Sequence, residues 1–266
     1  HVHIQMSDSL ELYGDKLYYD GNSRIAEVHQ SVRLIDKKLT LYTDELIYKR
    51  NEKLGEYFIW GRVVDSANVL TSKKGRFYTE LNEVFFNDSV VLVNKEQTLK
   101  TDSLHYHTTF KTVDFKGRTT IEGDSTFMYA ESGFHNTATD YTRLKRHAFM
   151  QDRANTLSGD SLYYDKKRGI AEAFQNVVMT DTIKKIVVSG GYAKYSKKEG
   201  KAFVVDSAMA ILIDEGDSLF IHADTLKILL DSNDKVDQLH AYRHMKFYRN
   251  DFQGMSDSMV YIIKDS

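Results

Sequence analysis

The sequence of 266 residues contains neither cysteine nor proline. Without cysteine, a disulfide framework, a thiolate metal site and a cysteine nucleophile are all excluded. A net charge of −2 argues against a nucleic-acid binder that depends on a basic face. Mean hydropathy is −0.46, and no apolar run approaches the roughly 18 residues that a membrane helix needs. With aromatic residues at 12%, the composition indicates an ordered globular protein.

The chain does contain an internal repeat. Four clear copies of the pattern Asp-x-Leu-x-Tyr, separated by 29 residues or by twice 29, begin at Asp15, Asp44, Asp102 and Asp160. Weaker copies begin at the intermediate and later steps, at Lys73, Glu131, Gly191, Asp224 and Asp257. Together they predict a protein built from about nine repeats of about 29 residues each.

A second pattern follows about 15 residues after each copy of the first. It reads apolar-x-[Gly/Gln/Asp/Arg]-x-apolar-x-apolar, as in Val28, Gln30, Val32 and Leu34. Both patterns have period two, the signature of strands with one buried and one wetted face. Each repeat is therefore predicted to be two antiparallel strands joined by a short polar turn, such as the turn at 20–23.

The predicted fold class is all-β. Two strands per repeat with alternating faces are typical of two antiparallel sheets packed face to face, so we predict an elongated antiparallel β-jelly roll. No linker or charge block divides it, which predicts a single domain over residues 1–266. The absence of proline agrees with this fold, because a residue without a backbone N–H donor is tolerated at few positions in a continuous ladder of paired β-strands. The sequence stops inside a first-pattern strand at 259–263, so we expect a trimmed C-terminus.

A Gly-Asp-Ser-Leu block, the hallmark of one esterase class, occurs at 159–162 and again at 216–219. The first block is a copy of the repeat, and its siblings carry Lys16 and Glu45 where it has Ser161. Ser161 is therefore predicted to be a solvent-facing residue rather than a nucleophile. Neither a phosphate-binding glycine loop nor a carboxylate pair stands out. We predict that the protein is not an enzyme and needs no cofactor.

Two kinds of metal site were also considered. His105 and His107 are alternate residues of one predicted strand and could bind a metal with a third ligand, although polar residues on a wetted strand face explain the same spacing. A looser group consists of His222, His240 and His244. The aspartates of the first pattern supply one carboxylate per repeat, whereas Ca²⁺ needs six to eight oxygens. We predict no metal, and we assign the aspartates a structural role at strand entries, where they would accept backbone N–H bonds.

The repeats also place a long row of apolar side chains on one face. A dry core explains most of them, but a groove between two sheets could hold acyl chains, which gain about 0.8 kcal/mol per buried CH₂. Met and Tyr suit such a lining. The candidate lipid-binding residues are Leu17, Tyr19, Val32, Leu34, Leu46, Tyr48, Val63, Val90, Leu92, Leu104, Tyr106, Ile121, Met150, Leu162, Tyr164, Val177, Met179, Met245 and Phe247.

The alternation of Asp-x-Leu-x-Tyr strands with Gly-x-Val strands resembles the OstA-like family of periplasmic lipopolysaccharide-transport proteins, of the LptA type or of the N-terminal periplasmic domain of the LptD type. The segments at 101–106 and 60–64 resemble the family's strands most. The resemblance implies a β-jelly roll that carries lipid A acyl chains between its sheets and joins other such proteins end to end. It also implies the periplasm of a Gram-negative bacterium, where association with the outer membrane would fit.

The sequence departs from the family pattern in three ways. The chain is longer than a minimal bridge protein of this type, and the glycine of Gly-x-Val is often Gln, Asp or Arg. Asp65 also places a charge on the face assigned to lipid.

The leading hypothesis is a non-enzymatic bridge that binds and transports lipopolysaccharide. Its edge strands near 10–19 and 259–263 would pair with neighbouring β-jelly rolls, including further copies of the same chain head to tail. No nucleic-acid partner is expected. The alternative is a structural β-repeat scaffold or protein-interaction module without lipid cargo. A carbohydrate-active β-repeat enzyme is disfavoured because no carboxylate constellation is visible.

Overall fold

The computed structural model describes residues 1–7, 10–36, 39–214, 216–232 and 235–263. The regular structure in these ranges consists of β-strands, so the all-β prediction is confirmed. The strands up to residue 107 are β1 (Val2–Ser7), β2 (Leu10–Gly14), β3 (Lys16–Asp20), β4 (Ile25–Asp36), β5 (Leu39–Lys49), β6 (Leu54–Tyr57), β7 (Gly61–Val64), β8 (Val69–Ser72), β9 (Lys74–Tyr78), β10 (Glu83–Val93) and β11 (Gln97–His107).

The remaining strands are longer and more uniform. They are β12 (Thr112–Gly123), β13 (Thr126–Asn136), β14 (Tyr141–Asp152), β15 (Asn155–Asp165), β16 (Ile170–Asp181), β17 (Ile186–Ser196), β18 (Lys201–Leu212), β19 (Leu219–Leu230), β20 (Val236–Arg249) and β21 (Phe252–Ile262). Across the described ranges, no helix has the length and apolar character that a membrane crossing requires.

The chain divides into two compact units. The first unit comprises His1–Asp124 with Phe134–Ala138, and the second comprises Ser125–Gly133 with Thr139–Ser266. Each unit contains several complete repeats. The prediction of a single domain over residues 1–266 stays a prediction, and a test is given below.

Strand pairing is antiparallel in both units; it follows chain order in the second unit, whereas in the first unit short strands also pair out of order, as β2 with β4 and β5 with β7. In the second unit β14 pairs with β15, and the same step repeats through β16, β17, β18, β19, β20 and β21. In the first unit β4 pairs with β5, and β10 pairs with β11, which pairs with β12. The Asp-x-Leu-x-Tyr copies and the second-pattern copies occupy alternate strands, as the two-strand repeat predicts.

A β-bulge interrupts the long strand pairs at the same point of the repeat. Between β10 and β11, Asn87 pairs with Ser103 and Val90 pairs with Thr101, so two residues of β10 lie opposite one residue of β11. These two residues of β10, Asp88 and Ser89, both have a left-handed backbone. Equivalent left-handed pairs are Gln30–Ser31, Asp88–Ser89, Arg146–His147, Gln175–Asn176, Asp206–Ser207 and Arg243–His244.

These bulges explain why the Gly-x-Val glycine varies in this chain. The third residue of the second pattern needs a positive φ, which glycine adopts freely and other residues adopt at a cost of roughly 1–2 kcal/mol. Gly117 occupies this position with φ +94°, and Gln175 occupies it with φ +59°. At Gly117 and Gln175 the residue therefore differs while the left-handed backbone of the bulge is the same.

The aspartates of the first pattern lie opposite the bulges, in the middle of their strands. Asp102 lies inside β11 and Asp160 inside β15, and both are exposed. Asp160 accepts hydrogen bonds from the side-chain amide of Asn176, a bulge residue, at 3.1 and 3.2 Å. Asp224 is likewise paired with His244 at 2.9 Å. The prediction of a strand-entry position is therefore wrong for the aspartates inside strands, such as Asp102 and Asp160, because the register places them at bulges, whereas Asp15 does lie directly before β3.

The core lies on the same face on both sides of each bulge. In β10, Val84 and Phe86 before the bulge and Val90 and Leu92 after it are all buried. Because the described elements are strands, the layer that covers this face also consists of strands. A bulge bends its strand, which lets the two halves of the bent strands enclose a common interior, as in a β-jelly roll.

Only part of the predicted edge near residues 10–19 is free. Strand β1 pairs with β2 on one side and β4 pairs with it on the other, so Leu10–Gly14 is not an edge. In the described part of the chain, β3 pairs with β4 alone and β21 pairs with β20 alone. The sequence pattern missed this because β1 lies ahead of the first repeat copy.

Candidate functional site

Most of the predicted lipid-binding residues have buried side chains. The buried ones are Val32, Leu34, Leu46, Tyr48, Val63, Val90, Leu92, Leu104, Tyr106, Ile121, Met150, Leu162, Val177 and Met245. The half-buried ones are Leu17, Tyr164, Met179 and Phe247. Tyr19 is 53% exposed. The inward placement predicted for Tyr19 is wrong because β3 is a short strand with one paired edge.

The second pattern predicts a buried apolar residue at Ile59, two positions before Gly61, and this prediction is wrong. Ile59 lies between β6 and β7 rather than in a strand, and its side chain is exposed, as are those of Phe58 and Trp60. The backbone carbonyls of Ile59 and Trp60 accept hydrogen bonds from the Thr43 hydroxyl at 3.3 and 3.0 Å. The second-pattern strand is broken here, so its alternation does not hold.

In the first unit, the interior beside this break is filled by Tyr57. Its ring is fully buried, and its hydroxyl lies 2.7 Å from the Ser72 hydroxyl. A Cβ at Gly61 or at Gly75 would overlap the ring, so both glycines are needed for this packing. Burial raises the pKa of Tyr57 to about 12, opposed by the hydrogen bond to Ser72. This part of the first unit is a packed core.

Asp65, the charge that the sequence placed on the lipid face, is neutralised inside the first unit. Its carboxylate accepts hydrogen bonds from the Tyr106 hydroxyl and the Lys111 ammonium, both at 2.8 Å. The backbone N–H groups of Ala67 and Asn68 add two more, also at 2.8 Å. Burial opposes ionisation, but these donors hold the pKa of Asp65 at about 2. The same burial and the carboxylate raise the pKa of Tyr106 well above its usual range.

The second unit contains an apolar cavity of about 300 Å³. Three predicted lipid-binding residues line it, namely Met150 of β14, Tyr164 of β15 and Met179 of β16. Apolar lining residues that the prediction did not include are Leu157, Ile186, Val188 and Ile228. The cavity therefore brings together side chains from β14, β15, β16, β17 and β19.

Charged groups complete the lining of this cavity. Arg153 and Lys197 both line it, and the Lys197 ammonium lies 3.6 Å from the Asp152 carboxylate. Asp181 is buried and accepts hydrogen bonds from the backbone N–H groups of Ile183, at 2.9 Å, and Val236, at 3.2 Å. Asp181 thus ties the end of β16 to the start of β20. The apolar lining of the cavity can hold an apolar chain, and the basic side chains of Arg153 and Lys197 can hold a polar group.

Burial also acts on Tyr164, the one tyrosine predicted to bind lipid in this cavity. It raises the pKa of the Tyr164 phenol, and the nearby Asp152 carboxylate acts in the same direction. The phenol is therefore neutral across the physiological range and adds a polar but uncharged group to the wall.

The other predicted residues do not join this cavity. Those numbered below 124 belong to the first unit. Phe247 lines a separate surface hollow with Phe220 and Met255. The predicted set is therefore the interior row of the whole repeat rather than one site.

A sequence signal for the missed lining residues does exist. A third apolar row lies three positions before the first residue of each of the first eight copies of the first pattern, with a 29-residue step over its first six members. The row consists of Leu12, Leu41, Leu70, Leu99, Met128 and Leu157, followed by Val188 and Ile221. All of them are buried. Leu157 and Val188 of this row line the cavity.

The Gly-Asp-Ser-Leu block is explained by the bulge. Ser161 pairs with Lys145 on one side and with Phe174 on the other, in the middle of the sheet. A Cβ on Gly159 would lie 3.2 Å from the backbone oxygens of Phe174 and Gln175. The glycine therefore allows close approach to the bulged strand, which accounts for a motif that otherwise looks catalytic.

The fold and this interior define the class: an antiparallel β-repeat protein with an apolar cavity between bent strands. The family model for OstA-like proteins matches residues 1–102 and 99–209. The chain therefore belongs to the OstA-like family, which confirms the resemblance drawn from its repeats.

The chain is similar to the crystal structure of LptH, the LptA homologous periplasmic component of the conserved lipopolysaccharide transport device from Pseudomonas aeruginosa. The identity is 14%, the match covers 42% of this chain and 93% of that one, and the TM-score is 0.40. No curated protein matches the sequence.

Proposed function

We propose that the protein is a periplasmic bridge that binds lipopolysaccharide and passes it on, with acyl chains held in the cavity of the second unit. The observation that carries this proposal is the cavity of about 300 Å³, walled by Met150, Leu157, Met179 and Ile186. That volume lies at the lower end of the range of ligand pockets, roughly 300–1,000 Å³. Membership of the OstA-like family supports the same class of function.

The physical basis of cargo binding is hydrophobic burial. Each CH₂ group that leaves water for the cavity contributes about 0.8 kcal/mol. Arg153 and Lys197, which also line the cavity, suit an anionic group at the polar end of such a lipid. A site of this size holds part of an acyl chain rather than a whole lipid. Binding is then weak enough to release the cargo to the next site.

The partners proposed are other β-jelly-roll transport proteins or further copies of this chain. Strands β3 and β21 offer the free edges, and β21 exposes Met255, Val260 and Ile262. An unpaired edge presents N–H and C=O groups that a strand of another molecule can complete. Head-to-tail pairing would join β21 of one molecule to β3 of the next. Gram-negative periplasm, beside the outer membrane, is the compartment that this role requires.

Photocrosslinking at neighbouring residues of β16 tests the cargo site. Met179 lines the cavity, whereas its chain neighbour Val178 points to the opposite face of the strand. A photoreactive residue at position 179 should label lipopolysaccharide after illumination of protein loaded with it, and the same residue at position 178 should not. Equal labelling at both positions, or labelling at neither, would contradict the proposal.

A second measurement separates transport from the scaffold alternative. Val188 lines the cavity, so Val188→Asp places a charge against any bound chain, whereas Val187 lies on the other face of β17. Mass spectrometry of protein purified from a Gram-negative host should find lipid A with the wild type and with Val187→Asp, and much less with Val188→Asp. Circular dichroism checks that both variants fold. Wild-type protein that carries no lipid A would favour a scaffold.

A further inference from the structure

A cluster of three metal-binding side chains lies in the first unit, away from the cavity. Glu83 is the first residue of β10, and His105 and His107 lie near the end of β11. Glu83 pairs directly with His107 in the strand register. In the part of the chain that the structure describes, this is the one group of at least three His, Cys, Asp or Glu residues that could hold a metal ion.

The cluster lies on the outer face of the strands. Leu104 and Tyr106, which alternate with the two histidines, are buried in the interior. His105 and His107 therefore point to the opposite face, where each side chain retains a little under a third of its exposure. The site is partly shielded and still open to ions from solvent.

Distances within the cluster suit one small ion. Glu83 Oε1 lies 2.9 Å from His107 Nε2, and Glu83 Oε2 lies 3.4 Å from His105 Nε2. All potential ligand atoms lie within 4.8 Å of one another. Two ligands at about 2.1 Å from a tetrahedral zinc ion are about 3.4 Å apart. The three side chains are thus already near the separation that shared coordination requires.

The hydrogen bonding of the cluster is incomplete. His105 Nε2 is buried and makes no hydrogen bond, although a carboxylate oxygen of Glu83 is near it, and His107 Nδ1 is also buried without a hydrogen bond. A buried nitrogen without a partner is costly, by about 1–3 kcal/mol. An ion at the cluster would give the lone pair of His105 Nε2 a partner.

Aromatic rings hold the two imidazoles in place. Phe85 stacks on His105 with ring centroids 4.1 Å apart and planes 5° apart. Phe110 lies beside His107 at 5.4 Å. Rigid ligands lose less conformational freedom on binding an ion, and an apolar surround favours coordination over hydration.

We propose that Glu83, His105 and His107 form a zinc site on the outer face of the first unit, with a fourth position open to water or to a ligand atom of a partner. Two imidazoles and one carboxylate are a donor set that Zn²⁺ uses. Ca²⁺ and Mg²⁺ prefer oxygen ligands in larger number. The bound ion would clamp β10 to β11. This inference does not depend on lipid transport.

The chain offers a matched control in His29 of β4. Like the clustered histidines it is half-buried, and it lies between two carboxylates, Glu27 at 3.9 Å and Glu45 at 3.8 Å. It belongs to no group of three ligands with a common point. A single imidazole with distant carboxylates should not compete for zinc.

The experiment titrates the full chain with zinc chloride after removal of metal by a chelator. Isothermal calorimetry should give a binding event that His107→Gln and Glu83→Gln weaken at least tenfold and that His29→Gln leaves unchanged. With zinc in hundredfold excess over its Kd, the melting temperature of the wild type should rise by roughly 5 °C. Cobalt chloride should give the visible absorption of a four-coordinate ion.

The proposal fails if wild-type protein binds zinc no more tightly than His107→Gln does, or if His29→Gln loses as much affinity as the cluster variants. Circular dichroism establishes that each variant is folded before titration. Should His107→Gln not fold, Glu83→Gln alone decides, because it keeps the shape of the side chain and removes only the anionic ligand.

Discussion

Asp65 is a charged residue in an apolar interior, and its surroundings account for it. Lys111, Tyr106 and two backbone N–H groups all donate to its carboxylate. Removing such donors from a buried carboxylate strongly destabilises a protein. Removing the carboxylate from its donors does the same. A charge that looked incompatible with the interior row is therefore part of a closed polar network.

Replacing Asp65 with Asn should destabilise the protein in a pH-dependent way. The folded pKa of about 2 lies below the ordinary 3.8, so the carboxylate stabilises the fold above pH 4 and loses this effect as the pH falls towards 2. Asp65→Asn should lower the free energy of unfolding by about 2 kcal/mol at pH 7. Urea unfolding at pH 7, 4 and 2.5 measures the difference, which should shrink with each step.

The control for this experiment is Asp44→Asn. Asp44 is exposed in β5, so its replacement should change the free energy of unfolding by less than about 0.5 kcal/mol. A loss at Asp44 equal to that at Asp65, or an Asp65 effect that does not vary with pH, would contradict the assignment.

Gly190 and Gly159 occupy equivalent positions before the bulge, and the structure distinguishes them. A Cβ on Gly190 would lie 2.6 Å from the backbone oxygen of Val205, whereas on Gly159 it would stay 3.2 Å from its nearest backbone atoms. Gly190→Ala should therefore lower the free energy of unfolding by about 1–3 kcal/mol, and Gly159→Ala by less than about 1 kcal/mol. Thermal and urea unfolding measure both, and equal losses would be inconsistent with this geometry.

At the scale of elements, the sequence showed a variable position in the second pattern but did not show that a β-bulge lies there. The positions Gln30, Asp88 and Gln175 were visible as the variable third residue of the second pattern, and all three have positive φ. Period-two alternation predicted the strands on either side. Alternation along the bulged strand does not reveal the bulge, because Phe86 before it and Val90 after it keep the same phase on the buried face.

Replacing Gln175 with Gly should stabilise the protein. Gln175 is exposed with φ +59°, and glycine removes the left-handed penalty, so we expect a gain of about 0.5 kcal/mol after the extra entropy of glycine is subtracted. Gln253, exposed in β21 and outside the left-handed region, is the control. Gln253→Gly should lower the free energy of unfolding by up to about 1 kcal/mol. Urea unfolding that shows the same change in both variants would refute the argument.

The sequence could predict which side chains of the site are buried, but not how they pack together. Met150, Tyr164 and Met179 followed from the interior row, since burial repeats with the pattern. The cavity itself did not, because a row of inward side chains says nothing about how completely they fill the interior. Tyr57 illustrates the limit: it fills space left by Gly61 and Gly75, a match between strands that no local pattern encodes.

At the scale of the whole molecule, the open question is whether the two compact units unfold together. Sequential pairing without a linker predicts a single cooperative domain. Differential scanning calorimetry should show one transition whose calorimetric enthalpy equals its van 't Hoff enthalpy. Two separate transitions, with Asp65→Asn shifting only one of them, would instead identify the units as independent domains.

In the described part of the chain β21 has one unpaired edge, and this predicts that molecules can associate through it. If molecules join through this edge, light scattering should show mass that rises with protein concentration. Val260→Lys and Ile262→Lys place charges beside an edge whose side chains are already exposed, so they should abolish association without unfolding the monomer. Leu81→Lys, a change at an exposed residue of the turn between β9 and β10, is the control and should associate like the wild type.

The near-sequential pairing of strands has a consequence for folding. In the second unit, the strands from β15 to β20 each pair with the strand before and the strand after in the chain, so contacts there join residues close in sequence, and the entropy of closing large loops is mostly avoided. We expect the chain to fold faster than other all-β proteins of its length, hairpin by hairpin. Every added strand then presents a fresh edge to the next one. Adding a strand from a second molecule at the exposed edge of β21 would be the same physical event.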